Sequence, residues 1–267
     1  MKVGEYQDLL VGKKVIVTGA ARGIGKGIAV ECIRNGAQVV VLDIDKPLLD
    51  QVVVELNGIK ENSATAFHAD ISSEKDVIDA FSFSFENLGG VDGVVINAGI
   101  LHLAPVEQIE LAEWNRVINV NLTGSFLCAK EAVKQMKKSN NRGSIVFTSS
   151  LFGLRGGAEN GAYSASKFGV IGLAQSLAAE LGPLGIRVNS ICPGQVQTEM
   201  IDRLLEDRSS LTGRSSEEVR KNLVARIPSQ KMGTITEIAE PYVFLLSEMS
   251  RYVTGHSLLV DGGWQVG

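Results

Sequence analysis

A doubly wound parallel α/β sheet is the fold class that this sequence predicts, and three features predict it. Short β-branched runs alternate with longer amphipathic stretches through the 267 residues. The runs are apolar on both faces, as strands covered on both sides must be. A glycine-rich turn stands directly after the first run, where an open α/β sheet places its ligand crevice. Right-handed crossovers between parallel strands then fix the winding.

The elements follow in order. Lys14-Val-Ile-Val-Thr18 reads as a buried strand, and a helix pattern runs from Gly23 to Asn35. Gly36 closes that helix as a left-handed cap. Gln38 to Asp43 is the second strand, and Pro47 opens the second helix near its first turn, where a missing N–H costs nothing. Ala64 to Ala69, Gly93 to Asn97, Ser144 to Ser149, Ile186 to Ile191 and Ser257 to Val260 are further strands, nearly all separated by helical patterns. Without a Pro- or Ser-rich linker or an internal repeat, residues 1–267 read as one domain. The stretch from Glu199 to Gln230 breaks the rhythm, being polar, weakly helical and rich in Ser, Arg and Glu. Two readings stay open for it: a solvated surface excursion, or a mobile substrate lid beyond a strand's C-terminal end.

Composition narrows the function. A hydrophobic fraction of 45% excludes disorder, and 29 scattered glycines exclude a coiled coil. A net charge of −4 gives no general reason to bind nucleic acid or an anionic membrane. Cys32, Cys128 and Cys192 lie far apart, and His68, His102 and His256 are equally dispersed, so no metal-ligand spacing exists. Met1 to Lys14 lacks the apolar core of a signal peptide, and no apolar run reaches the length of a membrane span. The expected address is the cytoplasm.

The glycine turn, Thr18-Gly-Ala-Ala-Arg-Gly-Ile-Gly25, has the chemistry of a diphosphate cradle. Glycine allows a sharp turn and close backbone approach, and the following helix offers free N–H groups and a positive dipole end. Asp43 ends the second strand eighteen residues beyond Gly25, near the spacing of an acidic ribose reader. A carboxylate there accepts from both ribose hydroxyls and repels a 2′-phosphate, which favours NAD over NADP. An ordinary strand-end turn is the alternative for Asp43, and Arg22 is a competing basic group for a 2′-phosphate.

Tyr163 and Lys167 lie four residues apart in a strongly helical segment and so share a face. A free tyrosine has a pKa near ~10, and a neighbouring ammonium favours the phenolate, so the pair predicts a lowered Tyr163 pKa. Ser150 ends the strand before it, where its hydroxyl can hold a carbonyl oxygen or merely cap the turn.

Taken together, TGAARGIG at 18–25, Asp70, NAG at 97–99, NLTG at 121–124, Ser150, YSASK at 163–167, PGQVQT at 193–198 and VDGGW at 260–264 resemble the short-chain dehydrogenase/reductase family in its compact, non-extended branch. The match runs from about Gly12 to Trp264. The resemblance implies a Rossmann-type three-layer sandwich with a parallel sheet of about seven strands. It makes Tyr163 the general acid/base, Lys167 its pKa-lowering and ribose-binding partner, Ser150 the holder of the substrate oxygen, and Asn121 the anchor of a proton-relay water. It assigns Gly19, Arg22, Gly23, Ile24, Gly25, Asp43, Asp70, Ile71, Asn97, Ala98, Gly99, Pro193, Gly194, Val196 and Thr198 to the cofactor, alongside Tyr163 and Lys167. Asn97 to Gly99 and Pro193-Gly194 keep the alternative of plain loop turns.

The implied function is interconversion of a secondary alcohol and a ketone with NAD, NADP being the less favoured cofactor. Phe152, Gln195 and His102 join Ser150 and Tyr163 as substrate contacts, with Leu101, Leu154 and Arg155 as further wall candidates. That wall suits a small hydroxyketone, a polyol, or a cyclic or steroid ketone. The alternatives are an NADPH-dependent 3-oxoacyl-thioester reductase and a catalytically silent nucleotide sensor on the same fold. The resemblance also implies a homotetramer through helices near Gln108–Lys138 and Gly161–Leu181, with the C-terminal segment at a second interface. Trp114 and Trp264 are read as packing or subunit-contact residues.

Overall fold

The computed structural model describes residues 8–139 and 142–266. Met1 to Gln7 of the amino-terminal stretch, and Gly267 at the end of the tail, lie outside the described residues. The strands β1 (Lys14–Thr18), β2 (Gln38–Asp43), β3 (Ala64–His68), β4 (Gly93–Ile96), β5 (Ser144–Thr148), β6 (Arg187–Pro193) and β7 (Ser257–Val260) form one parallel sheet. Their order is β3-β2-β1-β4-β5-β6-β7, so the chain reverses direction across the sheet between β1 and β4. At such a switch point the crossing connections leave opposite faces and open a crevice at the strands' C-terminal ends.

The helices are α1 (Gly23–Arg34), α2 (Lys46–Ile59), α3 (Glu74–Leu88), α4 (Leu111–Ile118), α5 (Gly124–Lys138), α6 (Gly161–Leu181), α7 (Glu199–Thr212), α8 (Ser216–Ala225) and α9 (Ile235–Leu246). Gly36 takes φ +96° just past α1, the left-handed ending its sequence position predicts. Asp45 caps α2 by accepting the Leu48 N–H at 3.2 Å, with Pro47 in the first turn.

Alternation along the strands builds the two sides. Val15, Val17, Val39 and Val41 face one cluster with Ile28, Ile33 and Leu49, while Ile16, Val40 and Leu42 face another with Phe81, Phe147 and Val170. Helices therefore cover both faces, and the sandwich has three layers.

Boundaries differ from the sequence expectation where the chain turns toward the crevice. Ala69, Asn97 and Ser149 fall just beyond their strands, whereas β6 continues to Pro193, beside Val260. The helical region expected from Gln108 to Lys138 is two helices, joined by a π-helical turn at Asn119–Thr123. Such a turn widens the helix by one residue and commonly marks a functional site.

Glu199 to Gln230 departs most from expectation. It is not weakly helical but contains α7 and α8, with Ser215 and Glu218 forming a capping box between them. Ile201, Leu204, Leu205, Val219 and Leu223 gather on its inner side with Ile227, Met232 and Trp264. The polar composition belongs to the outer faces. A sparse stripe of aliphatic residues suffices to dock a short hairpin.

Candidate active site

The site is built from strand ends. Beyond β1, Gly19 and Gly23 take φ +64° and +53°, and a Cβ on Gly25 would stand 2.0 Å from the Gly19 carbonyl oxygen. Only glycine permits the chain to fold over itself this tightly. A Cβ on Gly23 would approach the Thr198 methyl at 3.7 Å, so the start of α1 meets the start of α7. Neither helix has a side-chain cap on its first N–H groups. Two uncapped N-termini therefore converge, an arrangement suited to an anion. A cleft of about 550 Å³ opens there, lined by Gly23, Gln197, Thr198, Glu199, Asp202, Arg220 and Ile235.

Asp43 stands at the end of β2 beside this turn. Its carboxylate accepts the Ala21 N–H at 2.9 Å and the Asp45 N–H at 3.0 Å. The strand-end turn named as the alternative for Asp43 is thus present. Arg22, the competing cation, is paired with Asp45 and with Glu199. Asp70 accepts from the Ser72 N–H and hydroxyl at 2.8 and 2.7 Å, and Ile71 is buried against Gly124.

The floor of the crevice is a run of buried and half-buried hydrogen bonds. Thr18 Oγ1 accepts the N–H groups of Asn97 and Ala98 at 2.9 and 3.2 Å. Asn97 Nδ2 donates to the carbonyls of Thr18 and Gly19. Thr148 Oγ1 donates to Asn97 Oδ1 at 3.2 Å, so the Tyr242 hydroxyl 2.7 Å away must donate to Thr148. Asn97 is therefore a strut between β1, β4 and β5. Thr18, Thr148 and Tyr242 were missed by sequence reasoning, because isolated hydroxyls in strands and helices carry no spacing signal.

The catalytic candidates converge on this floor. Ideal-geometry placement of a Cβ on Gly99 would bring it 3.2 Å from Asn121 Oδ1 and 3.3 Å from Lys167 Nζ. Asn121 sits in the π turn; its Oδ1 accepts the Ile100 N–H, and its Nδ2 donates to the Ile100 carbonyl and to Ser166 Oγ. Ser166, within YSASK, is a second positioning group that the sequence did not single out. Lys167 is buried, donates to the Thr148 carbonyl at 2.8 Å, and lies 5.7 Å from the Tyr163 ring centre. Burial lowers its amine to about 8.

The expected lowering of the Tyr163 pKa is corrected. Burial raises it, with a hydrogen bond that the phenol oxygen accepts from Ser150 acting in the opposite direction. The Lys167 ammonium is directed at a backbone carbonyl rather than at the phenol oxygen, so desolvation dominates. Ser150 Oγ also accepts the Phe152 N–H at 3.1 Å, the capping role foreseen as its alternative.

The remaining candidates form the walls. Pro193 ends β6; Gly194 packs on Asp261, leaving 2.7 Å for any Cβ; and Val196 is buried in a bridge to Gly233. The Thr198 hydroxyl donates to the Val196 carbonyl at 3.3 Å. Ile24 packs against the cluster below α1. Phe152 meets Trp264 edge to face at 6.5 Å. Gln195 is buried, with no hydrogen-bond partner for its Oε1. His102 lines a cleft of about 310 Å³ with Leu101, Leu103, Asp207, Ser210 and Leu211, and its Nδ1 lies 3.6 Å from Glu113. No helix among the described residues is long and apolar enough to cross a membrane.

The chain is similar to known proteins over nearly its whole length. The family described as Enoyl-(Acyl carrier protein) reductase matches residues 19–265. L-rhamnose-1-dehydrogenase of Scheffersomyces stipitis is 37% identical over 258 residues, covering 96% of each chain. A 3-alpha-(or 20-beta)-hydroxysteroid dehydrogenase of Mycobacterium bovis is 39% identical over 259 residues, covering 97% of this chain and 91% of its own. The crystal structure of levodione reductase superposes with a TM-score of 0.90 at 30% identity, covering 95% of this chain and 98% of its own.

Proposed function

The chain belongs to the short-chain dehydrogenase/reductase family and is an oxidoreductase acting on CH–OH groups with NAD(P); from that premise we propose that it interconverts a secondary alcohol and a ketone with NAD as the preferred cofactor. The premise sets aside the catalytically silent alternative. The observation that carries the reading is the convergence of Asn121, Ser150, Tyr163 and Lys167 on one buried floor beside a glycine cradle.

The cradle fits a dinucleotide. The N–H groups at Gly23 and Ile24, with the start of α7 at Thr198, would hold the diphosphate, and Asp43 the adenosine ribose. Asp70, Ile71, Asn97, Ala98 and Gly99 would flank the adenosine and the chain beyond it. Pro193, Gly194 and Val196 would border the nicotinamide. That ring, when bound, supplies or accepts the hydride.

The protein's own residues handle the oxygen and its proton. Ser150 and Tyr163 donate to a substrate carbonyl, and these bonds strengthen as charge develops on the oxygen. Burial keeps Tyr163 a neutral phenol at neutral pH, which suits an acid for ketone reduction. Oxidation needs the phenolate and therefore gains as pH rises. Lys167 is mostly charged below its pKa of about 8, and its positive field favours that phenolate.

Phe152, Trp264, Leu101 and Leu103 supply an apolar wall, with His102 and Gln195 as polar groups. This supports a hydroxyketone, polyol, or cyclic or steroid ketone, in line with the sugar and steroid relatives. The helices α7 and α8 act as the lid. A homotetramer is proposed on the exposed Phe126 and Phe168 of α5 and α6, and a cytoplasmic address on three buried free thiols.

A panel of these ketones with NADH and NADPH tests the reading. Oxidation of the reduced nicotinamide should be faster with NADH, and Tyr163→Phe should lower kcat by about 10²–10⁴-fold. Full activity in Tyr163→Phe sinks the mechanism. A higher kcat/KM with NADPH sinks the NAD preference and favours the acyl-thioester alternative.

A further inference from the structure

Arg22 precedes α1 within the glycine turn, with extended backbone at φ −154° and ψ 176°. Its guanidinium reaches two carboxylates on separate elements. One is Asp45, which caps the start of α2. The other is Glu199, the first residue of α7, at 3.2 Å. One cation therefore ties the glycine turn to the end of the second strand and to the hairpin over the crevice. Asp45 is held in place independently, since its other oxygen caps α2 through the Leu48 N–H at 3.2 Å.

We propose that Arg22 is a shared clasp that couples cofactor discrimination to docking of the α7–α8 hairpin. The inference rests on the reading that Asp43 faces the adenosine ribose. A free guanidinium at this turn would attract a 2′-phosphate. Here its charge is already met by Asp45 and Glu199, so a 2′-phosphate encounters Asp43 and Asp45 with no spare cation. To be bound, it must draw Arg22 away from Glu199 and loosen the first turn of α7. Linkage makes the effect reciprocal: whatever seats Glu199 on Arg22 weakens 2′-phosphate binding, and a 2′-phosphate unseats the hairpin by the same factor. Discrimination against NADP thus resides partly in the hairpin, outside the ribose site itself.

The size follows from exposure. The Arg22 and Glu199 side chains are 41% and 63% exposed, so their pair contributes at most about a five-fold effect on affinity.

The test uses 5′-AMP and 2′,5′-ADP, which differ only in the 2′-phosphate, titrated calorimetrically into the intact protein. Glu199→Gln should raise the affinity for 2′,5′-ADP relative to 5′-AMP about three- to five-fold, the ratio cancelling any effect on the 5′-phosphate that both ligands share. Asp45→Asn, which keeps a capping oxygen, should shift the ratio in the same direction. Glu206→Gln removes the same charge from the exposed face of α7 without contacting Arg22, and should leave the ratio as it is. Saturating 2′,5′-ADP should also speed tryptic cleavage at Arg203, Arg208 or Arg214 in the wild-type protein, where 5′-AMP does not. An unchanged ratio in Glu199→Gln, or an equal shift in Glu206→Gln, overturns the clasp. Failure of wild-type protein to bind 5′-AMP overturns the ribose reading instead, and the clasp falls with it.

Discussion

The floor of the crevice and the hairpin above it are assembled by different forces. The floor is directional: Thr18, Asn97, Thr148 and Tyr242 link β1, β4, β5 and α9 through hydrogen bonds, and the Thr148 carbonyl holds Lys167. Apart from the Arg22–Glu199 pair, the hairpin is held by Ile201, Leu204, Leu205, Val219 and Leu223, which cluster with Trp264 through contacts without directional preference. Hydrogen bonds in a dry interior fix atoms to a narrow geometry, as a proton-transfer site requires. Aliphatic contacts tolerate changes of shape, as a substrate wall can. A rigid floor and an adaptable wall can therefore change independently of one another.

The comparison breaks most readily at Gly25. A Cβ there would lie 2.0 Å from the Gly19 carbonyl oxygen and 2.6 Å from Asn97 Nδ2, so it strikes the floor strut as well as the cradle. Gly25→Ala should destabilise the protein by about 3 kcal/mol in chemical denaturation and abolish measurable 5′-AMP binding. Retained binding at wild-type affinity would show that the floor is as forgiving as the wall.

Trp264 makes the opposite test. Its indole fills the hairpin cluster, meets Phe152 edge to face and carries Arg226 over its face at 5.2 Å. Trp264→Ala should cost about 3 kcal/mol, the low end for a buried tryptophan because this cluster is small. It should raise KM for the ketone several-fold and leave the nucleotide Kd within about two-fold, as expected for sites without shared contacts. A matching loss of nucleotide affinity would mean that hairpin and floor are one unit.

The floor was partly legible in the sequence because backbone geometry leaves a residue-type signature. Gly19 and Gly25 stand where a Cβ cannot, Gly23 takes a left-handed backbone conformation, and Tyr163, Lys167, Ser150 and Asn121 sit at family spacing. All seven strands were readable from runs apolar on both faces. Thr148 and Tyr242 were not, since a hydroxyl inside an apolar run looks the same whether or not a partner faces it. The hairpin was misread because its apolar residues are spread thinly among charged ones, and their partner, Trp264, lies far along the chain. The direction of the Tyr163 shift was missed for a related reason. Spacing places Lys167 on the same face but does not say that its ammonium is drawn to a strand carbonyl.

Lys167 carries the sharpest difference between the regions, because the floor keeps a charge that packing alone would expel. Its folded-state pKa is lowered from 10.5 to about 8 by burial, so the charged form is disfavoured by folding. Below about pH 8 both folded and unfolded chains carry the proton, and the folded state bears the full cost. Between about 8 and 10.5 the unfolded chain holds a proton that the folded one has released, so this group's contribution to stability rises with pH across that window. The shift corresponds to about 3 kcal/mol, and losing the bond to the Thr148 carbonyl returns about 1 kcal/mol. Lys167→Met should therefore stabilise the protein by about 2 kcal/mol at pH 7 while removing activity. The gain should shrink as pH approaches 10. Denaturant titrations at pH 7 and 10 read both quantities. If Lys167→Met is less stable than wild type at pH 7, the Thr148 anchor outweighs desolvation, and the floor is held together by its lysine rather than in spite of it.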